Sequence, residues 1–406
     1  MRYGLVGKKL GHSYSKTIHE MLGNSEYVLR EVPEQEIDLF FQRRDFCAIN
    51  VTIPYKKNAF HACDELSDTA RAIGSVNTVI KRADGTLFGD NTDAFGFEFM
   101  LDSARIDPIG KKCIVLGSGG SSVMAQYVLK KRGAERVVVI SRSSDDNYEN
   151  ISKHFDAQII INTTPVGMYP ENGASAIELA NFKECRGVVD LIYNPMRTKL
   201  ILDAQTLGIP CVSGLIMLVA QAKRAHELFF DVVCDTNISD LSEKIASSMK
   251  NILLIGMPGS GKSTIARLLA EKTGRELIDT DAEIVRREGR SIPDIFKDGG
   301  EQVFRKIETE VLAEVTKKSG AIIACGGGVV TVPANLPLIR QNSTVIYVDR
   351  PLDQLATKGR PLSGEKGVLA LFEARHALYE SANDYTVKFT TSTAAADEIL
   401  SLVGLS

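Results

Sequence analysis

No Cys-x-x-Cys pair occurs in the 406 residues, and the seven cysteines, Cys47, Cys63, Cys113, Cys185, Cys211, Cys234 and Cys325, are odd in number and scattered. That argues against a disulfide framework or a zinc site and for a reducing cytoplasm. The six histidines form no metal-spaced pair. No apolar run approaches the ~18 residues a membrane span needs, and the opening MRYGLVG lacks the long apolar stretch of a signal peptide. Charge of one sign is missing too. The net charge is -3, so neither nucleic acid nor an anionic membrane is expected as a partner. Internal repeats and low-complexity tracts are absent.

What is present is an ordinary soluble composition, 44% apolar and 24% charged. At roughly 150 residues per domain, the length allows two or three domains. Short apolar runs alternate with longer amphipathic stretches, which reads as α/β with mostly parallel sheets. Two glycine-rich turns each follow a buried-strand pattern and precede a helical one. One nucleotide domain rarely needs both, so a phosphate-binding domain is expected around each. Ahead of the first turn the pattern predicts a strand from Ile49, stopped by Pro54, and a hairpin from Asn77 to Leu87 turning at Asp84-Gly85. The polar segment from Asp235 to Lys250 reads as a linker, but Leu241, Ile245 and Met249 at four-residue spacing also suit a helix.

In the first turn Gly117, Gly119 and Ser122 occupy the positions of G-x-G-x-x-[GA], with Gly120 and Ser121 between them. Glycine lets the backbone approach a pyrophosphate, and the helix N-terminus supplies N–H donors. A lone match of this kind is also common in purely structural turns. After the next strand, Ser141 and Arg142 stand where an acidic residue would hold the ribose hydroxyl of NAD. A hydroxyl and a guanidinium suit the 2′-phosphate of NADP. Asp145 and Asp146 keep NAD open, and Arg142 could be a solvated surface residue. Further upstream, Ser13, Ser15, Lys56, Asn77 and Asp93 lie where strands and turns end. Taken singly they have plain readings: helix caps for the serines and Asp93, solvation for Lys56.

Together these segments resemble the shikimate dehydrogenase family over about residues 1–240. The matching pieces are Gly11-His-Ser-Tyr-Ser, Asn50-Val-Thr-Ile-Pro-Tyr-Lys, Val76-Asn-Thr, Asn91-Thr-Asp, Ile161-Asn-Thr-Thr-Pro-Val-Gly-Met, Asp190-Leu-Ile-Tyr-Asn-Pro and Gly214-Leu-Ile-Met-Leu-Val-Ala-Gln. The resemblance implies a Lys56–Asp93 pair at the reacting carbonyl, Ser13 and Ser15 on the substrate carboxylate, and Asn77 and Gln221 on its ring hydroxyls. The pair suits the chemistry: hydride added to the C3 ketone of 3-dehydroshikimate leaves an alkoxide that must gain a proton. The chain departs from the family pattern at Lys16, Ser121, Ser122 and Ser141, which bears on cofactor preference more than on the reaction.

The second turn is more specific. Residues 256–263, GMPGSGKS, match G-x-x-x-x-G-K-[ST]. Backbone N–H groups of Gly256, Gly259, Ser260, Gly261 and Thr264 cradle phosphates, Lys262 reaches the β/γ oxygens, and Ser263 ligates Mg²⁺. The rest of this half resembles shikimate kinase over about residues 248–406, through Asp279-Thr-Asp281, a helical stretch opening at Gly300 and carrying Arg305, Cys325-Gly-Gly-Gly328, Arg360-Pro-Leu and Arg375 four before Tyr379. On that resemblance Arg305 and Arg375 grip the acceptor's carboxylate, and Gly326, Gly327 and Gly328 let N–H groups approach its ring. Asp281 handles the proton of the attacking hydroxyl, Asp279 holds Mg²⁺, and Arg360 on a lid meets transition-state charge. Cys325 reads as a packed small residue.

The expected architecture is an α/β substrate domain (1–100 with 212–240), a Rossmann-like NADP domain (101–211), a linker (241–249) and a P-loop α/β kinase domain with a parallel sheet (250–406). The expected activity is bifunctional: NADPH-dependent reduction of 3-dehydroshikimate, then ATP- and Mg²⁺-dependent phosphorylation of shikimate. Homo-oligomers are left open. A ligand-sensing regulator built from decayed domains would be expected to lose Lys56, Asp93, Lys262 or Asp281, and all four are present. An NAD-dependent quinate dehydrogenase, or a kinase for another small molecule, is the second alternative.

Overall fold

The computed structural model describes residues 1–11, 13–355 and 367–405. They form two compact units. The first is Met1–Val166, Ser175–Tyr193 and Asp203–Glu243; the second is Gly167–Ala174, Asn194–Leu202 and Lys244–Ser406. Among the described residues no helix is long and apolar enough to cross a membrane.

The first unit holds two sheets. One contains β1 (Tyr3–Gly7), β2 (Tyr27–Glu31), β3 (Ala48–Val51), β4 (Glu65–Leu66), β5 (Thr78–Lys81) and β6 (Leu87–Asp90), in the order β2-β1-β3-β5-β6-β4. It is mixed, because β5 runs antiparallel to both β3 and β6. The hairpin turns where expected. Gly85 takes a φ of +85°, and Asp84 Oδ1 accepts from Thr86 N at 2.9 Å.

The other sheet is all parallel, β11-β10-β9-β7-β8, from β7 (Lys112–Leu116), β8 (Arg136–Ile140), β9 (Ile159–Asn162), β10 (Gly187–Asp190) and β11 (Cys211–Ser213). β7, β9 and β10 are almost wholly buried, which is why they read as continuous apolar runs.

The second unit carries a parallel sheet, β13-β14-β12-β15-β16, from β12 (Asn251–Ile255), β13 (Leu277–Asp279), β14 (Ile322–Ala324), β15 (Ser343–Asp349) and β16 (Tyr385–Lys388). Side chains alternate across it: Ile252 and Leu254 join one core cluster, Leu253 and Ile255 the other, so both faces are covered. Segments 167–174 and 194–202 belong to this unit. There Arg197 donates to the Ser343 carbonyl at 2.7 Å, and the Tyr169 hydroxyl donates to the Thr316 carbonyl at 3.1 Å.

Residues Ile238–Met249 are helical, with Leu241, Ile245 and Met249 buried, as their spacing requires. The helix bearing Arg305 starts before Gly300. It runs Ile292–Val315, capped by Ser291, which accepts from Asp294 N, and it breaks at Gly300, whose φ is +70°. In both parallel sheets the glycine turn leaves the strand with sequence-later strands on either side, β7 in one and β12 in the other. Such switch points leave a crevice at the strands' carboxyl ends.

Candidate active sites

The first unit contains a cavity of about 440 Å³ lined by Ser13, Ser15, Lys56, Asn77, Asp93, Ser121 and Gln221, among others. Residues far apart in sequence thus converge on one place. Lys56 opens the helix Lys56–Ala62, and its Nζ lies 2.5 Å from Asp93 Oδ2. Asp93 is the second residue of the helix Thr92–Ser103, so it is not that helix's N-cap. Neither group is a freely solvated surface charge: side-chain exposures are 26% and 18%. Asn77 is buried, and its Oδ1 accepts from Thr92 N at 2.8 Å. Ser13 Oγ accepts from Ser15 N at 3.3 Å. Gln221 sits on the helix Leu215–Phe230 and donates to the Leu218 carbonyl at 2.8 Å.

The same cavity is lined by Asn50, Thr52 and Tyr193, to which the sequence reading assigned no role. A signal was available. Asn50 and Thr52 are polar at alternate positions of an otherwise apolar run, so they share one strand face.

At the dinucleotide turn Gly117 has a φ of +99°, and Gly119 and Gly120 stand clear of neighbouring atoms where a Cβ would go. Such an open, side-chain-free edge suits a pyrophosphate. Ser122 is different: it is fully buried, its N–H bonds to the Gly119 carbonyl, and its Oγ accepts from Gln126 at 3.2 Å. It packs the helix Gly120–Lys131 onto the sheet, the part played by the third small residue of the fingerprint. Ser141 is buried and Arg142 exposed. Asp146 is engaged by His154 Nε2 at 2.8 Å, and that bond holds its carboxyl below the ordinary range.

The second unit has a cavity of about 490 Å³. The phosphate loop enters it from β12. Gly259 and Gly261 take φ of +86° and +96°, a left-handed backbone that other residues rarely adopt, and the helix Lys262–Thr273 follows at once. Lys262 Nζ is buried and donates to the carbonyls of Gly256 and Met257, each at 2.9 Å. Ser263 Oγ donates to Asp279 Oδ2 at 2.7 Å. Asp279 Oδ1 meanwhile accepts from the N–H groups of Asp281 and Ala282 and caps the helix Thr280–Glu288. A hydroxyl and a carboxylate converging beside the phosphate loop are hard oxygen donors of the kind Mg²⁺ takes, with phosphate oxygens and water completing its shell. Among the described residues no group of three or more His, Cys, Asp or Glu could hold a metal by itself.

In the same cavity Arg305 Nη1 donates to Glu308 Oε2 at 2.7 Å, and Arg375 Nη1 to the Gly327 carbonyl at 3.1 Å. A Cβ on any of the three glycines would crowd a neighbour, and at Gly327 that neighbour is the rigid Pro258. A Cβ on Gly326 would lie 2.8 Å from Asp281 Oδ1 and 2.9 Å from Glu308 Oε1; on Gly327 it would meet the Pro258 ring, and on Gly328 the Arg305 guanidinium. Glu308 was not singled out from sequence, although it stands three residues after Arg305 on one helix face. Burial pushes its carboxyl above the usual range against the pull of Arg305. Cys325 is buried, which pushes its thiol well above the ordinary range and fits a packing residue. Arg360 lies outside the described residues.

Comparison with known proteins gives two family matches. The shikimate dehydrogenase substrate binding domain matches residues 5–79, and shikimate kinase matches residues 258–403. A shikimate dehydrogenase (NADP(+)) from Clostridium perfringens is 32% identical over 264 residues, covering 59% of this chain and 95% of the relative. One from Caldicellulosiruptor bescii is 35% identical over 257 residues, covering 56% and 89%. Among solved structures, a chorismate mutase/shikimate 5-dehydrogenase fusion protein from Clostridium acetobutylicum aligns with a TM-score of 0.56 at 35% identity, over 60% of this chain and 96% of that one.

Proposed function

Because the chain belongs to the shikimate dehydrogenase family through its N-terminal part and carries a shikimate kinase domain at its C-terminus, we propose that it reduces 3-dehydroshikimate to shikimate with NADPH and then phosphorylates the shikimate 3-hydroxyl with MgATP. The observation that supports this reading is that each unit lines its own cavity with several of the polar groups that its reaction needs.

In the first cavity Lys56, held against Asp93, gives a proton to the C3 oxygen as the ketone becomes an alkoxide. NADPH, when bound, supplies the hydride. Ser13 and Ser15 bind the substrate carboxylate through hydroxyls, and Asn77, Gln221, Asn50 and Thr52 hold the ring hydroxyls. Arg142, exposed beside the end of β8, pairs with the 2′-phosphate, and the engagement of Asp146 by His154 favours NADP over NAD.

In the second cavity Arg305, braced by Glu308, and Arg375 grip the carboxylate of shikimate. Asp281 takes or orients the proton of the attacking hydroxyl, and Lys262 exchanges its loop carbonyls for phosphate oxygens. Ser263 and Asp279 would hold Mg²⁺, which when bound neutralises phosphate charge.

A coupled assay tests the whole. Purified protein given 3-dehydroshikimate, NADPH and MgATP should oxidise NADPH and form shikimate 3-phosphate. Omitting ATP should stop the sequence at shikimate. NADPH oxidation without any phosphorylated product would refute the kinase half; phosphorylation of added shikimate without NADPH oxidation would refute the other.

A further inference from the structure

A chain of buried polar groups runs behind the first cavity, and its hydrogen-bond directions can be worked out from one end. The Thr92 backbone N–H can only donate, and it meets Asn77 Oδ1 at 2.8 Å. That orients the amide: the nitrogen is its other end, 3.1 Å from Thr92 Oγ1. Thr78 Oγ1 lies 3.0 Å from Asn77 Oδ1 and 3.1 Å from Asn50 Nδ2. It must donate on one side and accept on the other, which only a hydroxyl can do.

Asn50 is oriented independently. Its Nδ2 also faces the Asn77 carbonyl at 3.4 Å, where Oδ1 would set oxygen against oxygen. Asn50 Oδ1 therefore points to the Tyr27 hydroxyl at 2.8 Å and His19 Nε2 at 3.1 Å, and both donate to it. His19 is neutral, since burial pushes its pKa down to about 3, and its ring stacks on Tyr27 at 3.9 Å. Tyr27 and Thr78 are fully buried, and neither lines the cavity; Asn50 and Asn77 do.

We infer that Thr78 is a positioning residue of the dehydrogenase, a hydroxyl relay that locks the Asn50 and Asn77 amides in one orientation so that Asn77 presents N–H to a substrate hydroxyl. This rests on the reading of Asn77 as a substrate-binding group. Without the relay Asn77 Oδ1 loses the hydroxyl that ties it to Asn50, and Asn50 Nδ2 is left with its longer 3.4 Å contact to the Asn77 carbonyl, so each amide is held in its orientation by one bond fewer.

The test is steady-state kinetics of the full-length protein carrying Thr78→Val, Thr78→Ser or Asn77→Ala. Thr78→Val keeps shape and removes the relay. Its KM for 3-dehydroshikimate should rise about tenfold, the loss expected for one oriented hydrogen bond. The KM for NADPH, and shikimate phosphorylation, should stay within about twofold, because neither uses these amides. Thr78→Ser restores the hydroxyl and should return KM close to that of the parent protein. Serine as impaired as valine would make the effect one of packing and overturn the inference. So would a parental KM in Thr78→Val while Asn77→Ala raises it, which leaves the reading of Asn77 intact. An unchanged KM in Asn77→Ala removes that reading and the inference with it. Should Thr78→Val fail to fold, Tyr27→Phe removes the donor at the far end while keeping the ring stack. It should raise the same KM about threefold, and an unchanged value in that variant counts against the relay equally.

Discussion

His19 illustrates how a single buried group ties stability to pH. Its ring is fully buried and its pKa lies near 3, whereas an exposed histidine titrates near 6.5. The unfolded chain therefore binds a proton below about pH 6.5 that the folded chain refuses, and stability is lost as pH falls toward 3. The slope is about 1.4 kcal/mol per pH unit in that window. His226, whose ring centroid is 6.3 Å away, is lowered by burial as well and acts in the same direction. Urea titrations of the parent protein should show the first unit losing about 2 kcal/mol between pH 6.5 and pH 5. A His19→Gln variant, with no titrating ring, should show a shallower dependence; an identical one would reassign the effect. Arg142 gives a second test at a single side chain. Arg142→Ala should weaken NADPH by about 1.5–3 kcal/mol, the worth of a charged hydrogen bond, with little change for NADH. Equal losses for both cofactors would remove the clamp.

Helix ends gather much of the second unit's candidate site. Asp279 closes β13 and caps the helix Thr280–Glu288, and its other oxygen receives Ser263. On the proposed reading one carboxylate serves both fold and site, and substitutions should separate the two duties. Asp279→Asn keeps a capping oxygen and loses the charge, so it should fold like the parent and phosphorylate poorly at limiting Mg²⁺. Asp279→Ala should add a stability loss of about 1 kcal/mol, the usual cost of a lost N-cap. Thermal melts and Mg²⁺ titrations of both variants would show it; equal stability of the two would mean the cap contributes nothing. The glycine stretch after β14 behaves similarly. Gly328→Ala would drive a methyl into the Arg305 guanidinium, and should raise the shikimate KM of the kinase with little change in that for ATP.

For the whole chain, each of the two units has its own cavity, cation and carboxylate. We therefore expect the reactions to be separable. Lys56→Ala should lower dehydroshikimate reduction by about two orders of magnitude and leave phosphorylation of added shikimate within about twofold. Lys262→Ala should do the reverse. A folded variant in which either substitution silences the opposite reaction would overturn this. The second unit is not one contiguous stretch: segments 167–174 and 194–202 belong to it, and Arg197 supplies the donor to the Ser343 carbonyl.

Much of the chemistry was legible in the residues alone, for a physical reason. Phosphate loops, capped helix starts and strand-ending carboxylates are local devices whose partners stand a few residues apart, so GMPGSGKS or Asp279-Thr-Asp281 announces itself. Buried apolar runs likewise announced β7 and β12, because a strand covered on both faces has no polar side to interrupt it. The surroundings of Thr78, His19 and Glu308 were not legible. A threonine in a strand or a glutamate in a helix is ordinary until its neighbours are known, and those neighbours come from other elements: Thr92 reaches Thr78 across fourteen positions, and Asn50 across twenty-eight. Which hydroxyl relays, which carboxylate braces an arginine and which glycine has no room for a methyl are set by how elements pack, and packing is decided only when the whole core closes.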